Sequence, residues 1–140
     1  MDNSKQKTEK DIILITYGEV ECKRGTRLTN DQLATSVKEK AKPFHKDLIR
    51  ICSSTEMRAV ELASLCAEKL NIRKLDICQS RNWNARSCDD RGIPYFEELL
   101  RMPQKCLIII ASPGCINRIL SEYHQEDRCS YSEGIHLRMG

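Results

Sequence analysis

"DIILITYG", residues 11 to 18, is a run of apolar residues closed by a glycine. Apolar side chains at successive positions need cover on both faces, which is the pattern of a buried parallel strand. A basic stretch follows, and Thr29 opens a helix with Leu33, Val37 and Ala41 on one face and Pro43 at its end. The chain therefore begins with a strand, a turn and a helix, and the residues where that strand ends are Thr16 and Tyr17.

The same alternation continues. "KDLIRIC" (46–52) is a second strand, after which Ser53 caps a helix and Glu56, three residues on, completes a capping box. That helix carries Val60, Ala63, Ala67 and Leu70 on one stripe and stops at Asn71. "KLDIC" (74–78) is a shorter strand, and "RNWNARSCDDRGIP" (81–94) is a polar loop long enough for a lid or binding loop. "YFEELLRM" makes a brief helix, and "CLIIIAS" (106–112) is the clearest buried strand. Ser112 and Pro113 then pair an N-cap serine with a first-turn proline, starting a helix that runs to about His124. "EGIHLR" near the end is a last strand. Strands alternating with helices predict an α/β domain, a three-layer αβα sandwich with a mainly parallel sheet. Ligands of such sheets bind at the carboxyl ends of the strands. Three segments end there: "TYGE", "CSSTEMR" and "SPG".

Composition sets the frame. A chain of 140 residues, 31% charged and 40% hydrophobic, fits one ordinary globular domain. Its net charge of +3 points to neither nucleic acid nor membrane, and no segment reaches the ~20 apolar residues of a membrane span. The opening "MDNSKQKTEK" lacks an apolar signal core. The expectation is a flexible polar leader over residues 1–10, a domain over 11–140, and a cytoplasmic location. Eight cysteines stand at 22, 52, 66, 78, 88, 106, 115 and 129 with no C-x-x-C pair, so neither zinc nor another cofactor is expected. A reducing compartment and apolar neighbours make them buried free thiols in expectation.

The three strand endings, in their order, resemble the histidine phosphatase (phosphoglycerate mutase-like) superfamily. Its members begin with R-H-G-E, continue with G-R-L-T, then S-S-x-x-x-R-A, and later S-H-G. Here the corresponding residues are Thr16-Tyr17-Gly18-Glu19, Arg27-Leu28-Thr29, "SSTEMRAVELA" (53–63) and Ser112-Pro113-Gly114. The resemblance implies a phosphoglycerate mutase-like fold in which the first histidine attacks phosphorus. Two arginines and a second histidine hold the phosphoryl oxygens, and a nearby acid protonates the leaving group. By that correspondence Arg58 is retained, the first arginine is Thr16, the nucleophile is Tyr17 and the second histidine is Pro113. Gln79 lies where the acid is sought, with Asp76 as a substitute. A phenol with pKa about 10 supplies little phenolate at neutral pH, and proline offers no side-chain donor or acceptor. His45, His124 and His136 match none of the motifs.

The expected function is a catalytically inactive pseudophosphatase: a binding or regulatory module for a protein partner. It would retain anion affinity through Arg58, with Arg24 and Arg27 adding charge to the same rim. An alternative rests on Cys52 and Arg58, which have the C-x5-R spacing of cysteine-dependent phosphatases. There a thiolate attacks phosphorus, backbone N–H groups bind the oxygens, and Asp89 or Asp90 could supply the acid. Against it, the loop has no glycine, no histidine precedes Cys52, and Glu56 puts a negative charge inside the ring. Gly18 and Gly114 read as turn residues. Trp83, the only tryptophan, reads as a plug, a half-buried loop anchor or a partner contact.

Overall fold

The computed structural model describes residues 10–17, 29–84, 87–123 and 135–139. Five strands form one sheet: β1 (Lys10–Ile15), β2 (Ile49–Ser53), β3 (Cys78–Gln79), β4 (Cys106–Ile110) and β5 (Ile135–Met139), in the order β3-β2-β4-β1-β5. β1 and β2 flank β4 in parallel, β3 adds to β2 in parallel, and β5 runs antiparallel to β1.

The apolar runs are explained by cover on both faces. Ile13, Ile15, Ile51, Ile108 and Ile110 pack under α1 (Asn30–Ala41) and α2 (Met57–Leu70). Ile12, Leu14, Leu107 and Ile109 face the other way, under α3 (Ile93–Leu100) and α4 (Pro113–Glu122). Adjacent residues of one strand therefore serve different cores, and the result is the expected αβα sandwich. α1 begins as read: the Thr29 hydroxyl accepts from the Gln32 N–H at 3.1 Å, and the Gln32 carbonyl oxygen accepts from the Thr29 N–H at 2.8 Å. Asn71 closes α2 in the left-handed conformation at φ 59°, its N–H reaching the Ala67 and Glu68 carbonyls.

Some boundaries differ from expectation. Lys46–Leu48 is a 3-10 turn, capped by the His45 ring, and β2 starts only at Ile49. Lys74–Asp76 is another such turn, clamped by an Arg73–Asp76 ion pair at 3.0 Å, which leaves β3 two residues long. The capping box on Ser53 does not form. Ser53 stays in the sheet, in register with Gln79 and Ile110, so the helix waits until Met57 and Glu56 makes no side-chain cap. β1 starts at Lys10, whose buried ammonium donates to the carbonyls of Met102 and Gln104. Trp83 is wholly buried at the end of a 3-10 turn, edge-on to Tyr95 and Phe96, and acts as a plug.

Candidate functional site

The sheet brings the three motif segments together. β1, β2 and β4 end level with one another, and the exits are stitched by backbone bonds. Ala111 N–H donates to Ile15 O at 3.2 Å, and Ser54 N–H donates to Ile110 O at 3.1 Å. Thr16–Tyr17, Ser54–Arg58 and Ser112–Cys115 thus share the carboxyl edge, where the resemblance expects the site.

Thr16 continues straight from β1 and is 1% exposed; its hydroxyl has no hydrogen-bond partner among the described residues. A buried hydroxyl without a partner costs free energy, so the one at this edge is notable. Tyr17 follows, half-buried, and the Arg58 guanidinium lies 6.0 Å from its ring centroid, within cation–π range. Burial pushes the Tyr17 phenol up; Glu56 adds to this, Arg58 opposes it and Cys115 adds again. Tyr17 is accordingly a protonated phenol at neutral pH.

Across the edge, α4 starts with the Ser112 hydroxyl accepting from Cys115 N–H at 3.4 Å and with Pro113 in the first turn. The proline fits because that position has no intrahelical partner for an N–H. Gly114 is not a turn residue: it lies inside α4, and a Cβ there would meet only the Ser112 hydroxyl at 4.0 Å. Its missing side chain leaves open space at the helix start. Cys115 donates its thiol to the Trp83 carbonyl at 3.1 Å, and Asn84 accepts from the Thr55 N–H at 2.9 Å. Thr55, Asn84 and Cys115 were not singled out by sequence, since single polar residues in a loop or first turn have no spacing signature.

Cys52 sits elsewhere. It is one residue inside the end of β2, 0% exposed, and turned into the core of Trp83 and Phe96. Its hydrogen bond to Cys78, and then burial, hold its thiol well above the ordinary range. The following loop cannot wrap an anion as a C-x5-R loop does, because the N–H groups of Ser54 and Thr55 are already committed to Ile110 and Asn84. Arg58 is exposed on the first turn of α2.

Of the acids considered, Asp76 precedes β3 and so lies at the opposite end from the strand exits, paired to Arg73. Gln79 does end β3, exposed and in register with Ser53. Asp90 is exposed, and the side chain of Asp89 lies outside the description. Gly18, Glu19, Arg24, Arg27 and His124 also lie outside the described residues. His45 caps its 3-10 turn, and His136 on β5 meets Asp11 at 2.7 Å near the start of β1, so neither joins the site. Among the described residues no three His, Cys, Asp or Glu side chains converge to hold a metal, and no helix is long and apolar enough to cross a membrane.

This architecture is the phosphoglycerate mutase-like fold. A phosphoglycerate mutase from Plasmodium falciparum aligns with a TM-score of 0.67 at 20% identity, over 94% of this chain and 83% of its own. A mycobacterial glucosyl-3-phosphoglycerate phosphatase aligns at 0.57 and 12% identity, over 95% and 90%. A putative phosphohistidine phosphatase from Agrobacterium tumefaciens aligns at 0.56 and 12%, over 84% and 79%. No family model and no curated protein matches the sequence.

Proposed function

We propose that this chain is a pseudophosphatase of the histidine phosphatase superfamily. It is a cytoplasmic binding or regulatory module that engages a protein partner and keeps affinity for phosphate-like anions without turning them over. The observation that carries the reading is Tyr17. By the motif correspondence it takes the position of the attacking imidazole, and it is a half-buried phenol on which burial and Glu56 keep the proton. Such a group cannot take up a phosphoryl group at neutral pH without strong cationic help. Pro113 removes the second imidazole, and Thr16 replaces a cation with a neutral hydroxyl.

What remains suits binding. The unpartnered Thr16 hydroxyl can donate, Arg58 supplies charge, and the start of α4 offers its dipole and the open space at Gly114. Arg24 and Arg27 would add to that rim.

Hydrolysis of a generic aryl phosphate by the purified chain, beside Cys52→Ser and Arg58→Ala, tests the reading. The expected result is no turnover above the Arg58→Ala background, together with saturable binding of inorganic phosphate by the unsubstituted chain. Turnover abolished by Cys52→Ser would establish the cysteine route instead. That route has to draw a thiolate from a buried thiol whose ionisation is opposed.

A further inference from the structure

Cys52 on β2 and Cys78 on β3 are direct register partners in a parallel pair. Neighbouring strands lie about 4.8 Å apart, inside the Cα separation of about 4.4–6.8 Å that a disulfide spans. Both side chains leave the same face of the sheet, toward Trp83. Among the five cysteines whose side chains are described, Cys78 alone is not fully buried. The Tyr95 hydroxyl lies 3.4 Å from its sulfur. β3 is an edge strand, and a cleft of about 650 Å³ lined by Arg50, Arg73, Ile77 and Cys78 opens onto it. The pair thus has one half-buried cysteine at the margin of a cleft and a fully buried one beside it.

We propose that Cys52 and Cys78 form a hydroperoxide-reactive dithiol, with Cys78 as the attacking sulfur and Cys52 as the resolving one. In the first step the Cys78 thiolate attacks one peroxide oxygen and the O–O bond breaks. Sulfur is oxidised to the sulfenic acid, and the hydroxide released takes a proton to become water. In the second step Cys52 gives up its proton and attacks the Cys78 sulfur. The S–O bond breaks, a second water leaves and the disulfide forms. Hydrogen peroxide is the oxidant consumed, and an external thiol reverses the reaction by exchange.

The division of labour follows from surroundings. The Cys78 thiol is held well below its ordinary range by the hydrogen bond from Cys52, with Tyr95 and the Arg50 charge adding to this. Cys66 and Cys106, by contrast, are buried and pushed up to about 12. Closing the bond would weld the two-residue edge strand to its neighbour.

The full chain, treated with limiting hydrogen peroxide, blocked with N-ethylmaleimide and digested with trypsin without reductant, gives the test. Cleavage after Arg50, Arg58, Lys74 and Arg81 places each cysteine in its own peptide, residues 51–58 and 75–81. These two peptides are expected disulfide-linked, and dithiothreitol should separate them. Cys78→Ser should abolish peroxide consumption by the pair. Cys52→Ala should instead leave a sulfenic acid on Cys78 that dimedone traps, and Tyr95→Phe should slow the first step severalfold. Linkage of Cys78 to any other cysteine would overturn the assignment. So would a Cys78 reacting no faster than free cysteine, or one that proceeds to sulfinic acid with Cys52 still reduced.

Discussion

At the scale of single residues, the carboxyl edge of the sheet carries two side chains that fit the fold well, and on the proposed reading they stand where the chemistry would need imidazoles. Pro113 suits a first helical turn, and Tyr17 lays its ring beside Arg58. On the proposed reading, anion binding there depends on few contacts. Replacing Arg58 by alanine should weaken binding of inorganic phosphate about tenfold, since a charge-assisted hydrogen bond contributes about 1.5 kcal/mol or more. Titration calorimetry at low salt would show it, and an unchanged affinity would remove Arg58 from the site. Gly114→Ala separates packing from binding. The added methyl has room, so α4 should gain about 0.5 kcal/mol in urea unfolding, while phosphate affinity falls as the open space is filled. Tyr17 and Pro113 could be singled out from sequence, because the motif resemblance points to their positions and each is visible there as a letter. The orphaned Thr16 hydroxyl could not, because it depends on what three other segments bring near it.

At the scale of elements, the long apolar runs and the capped helices were legible, and the edges of the sheet were not. β4 and the Ser112–Pro113 start of α4 follow directly from local pattern. β3 fails the pattern because it pairs on one side only, so charged Lys74 and Asp76 can turn away as a 3-10 helix before Cys78 reaches β2. Ser53 shows the same limit. A strand that continues one residue further keeps a capping serine in the sheet, while Cys52 is the buried strand cysteine that its apolar run implied. The other edge is pinned from inside. Asp11, 5% exposed, accepts from His136 Nε2 at 2.7 Å and from Arg138 Nε at 3.4 Å across the antiparallel pair. Asp11→Ala should therefore cost about 1–2 kcal/mol in urea unfolding and speed amide exchange in β5. Arg138→Ala, on the exposed side, should change little.

At the scale of the whole molecule, cores on both faces of the sheet account for the response to alkali. Cys66 and Cys106 are pushed by burial up to about 12, and the Tyr17, Tyr95 and Tyr123 phenols are raised as well, chiefly by burial. A group whose pKa is raised in the folded state favours folding below its unfolded value and loses that contribution as pH climbs to the folded one. Stability should therefore hold to about pH 8.5 and fall by on the order of a few kcal/mol toward pH 12. Lys10, lowered by burial, and Cys78, lowered first by its hydrogen bond to Cys52, work in the opposite sense, Cys78 only below about pH 9, so above that pH one group opposes several. Urea midpoints across this range check the sign; a midpoint that rises above pH 9 contradicts it.

One contact also joins the site to the deeper core. The Trp83 carbonyl takes the thiol of Cys115, which stands in the first turn of α4, while the indole is enclosed by Tyr95 and Phe96. Because the chain has a single tryptophan, its emission is an optical gauge wired to the start of that helix. An occupant of the carboxyl edge that shifts Cys115 announces itself in the colour of the fluorescence, with no label attached.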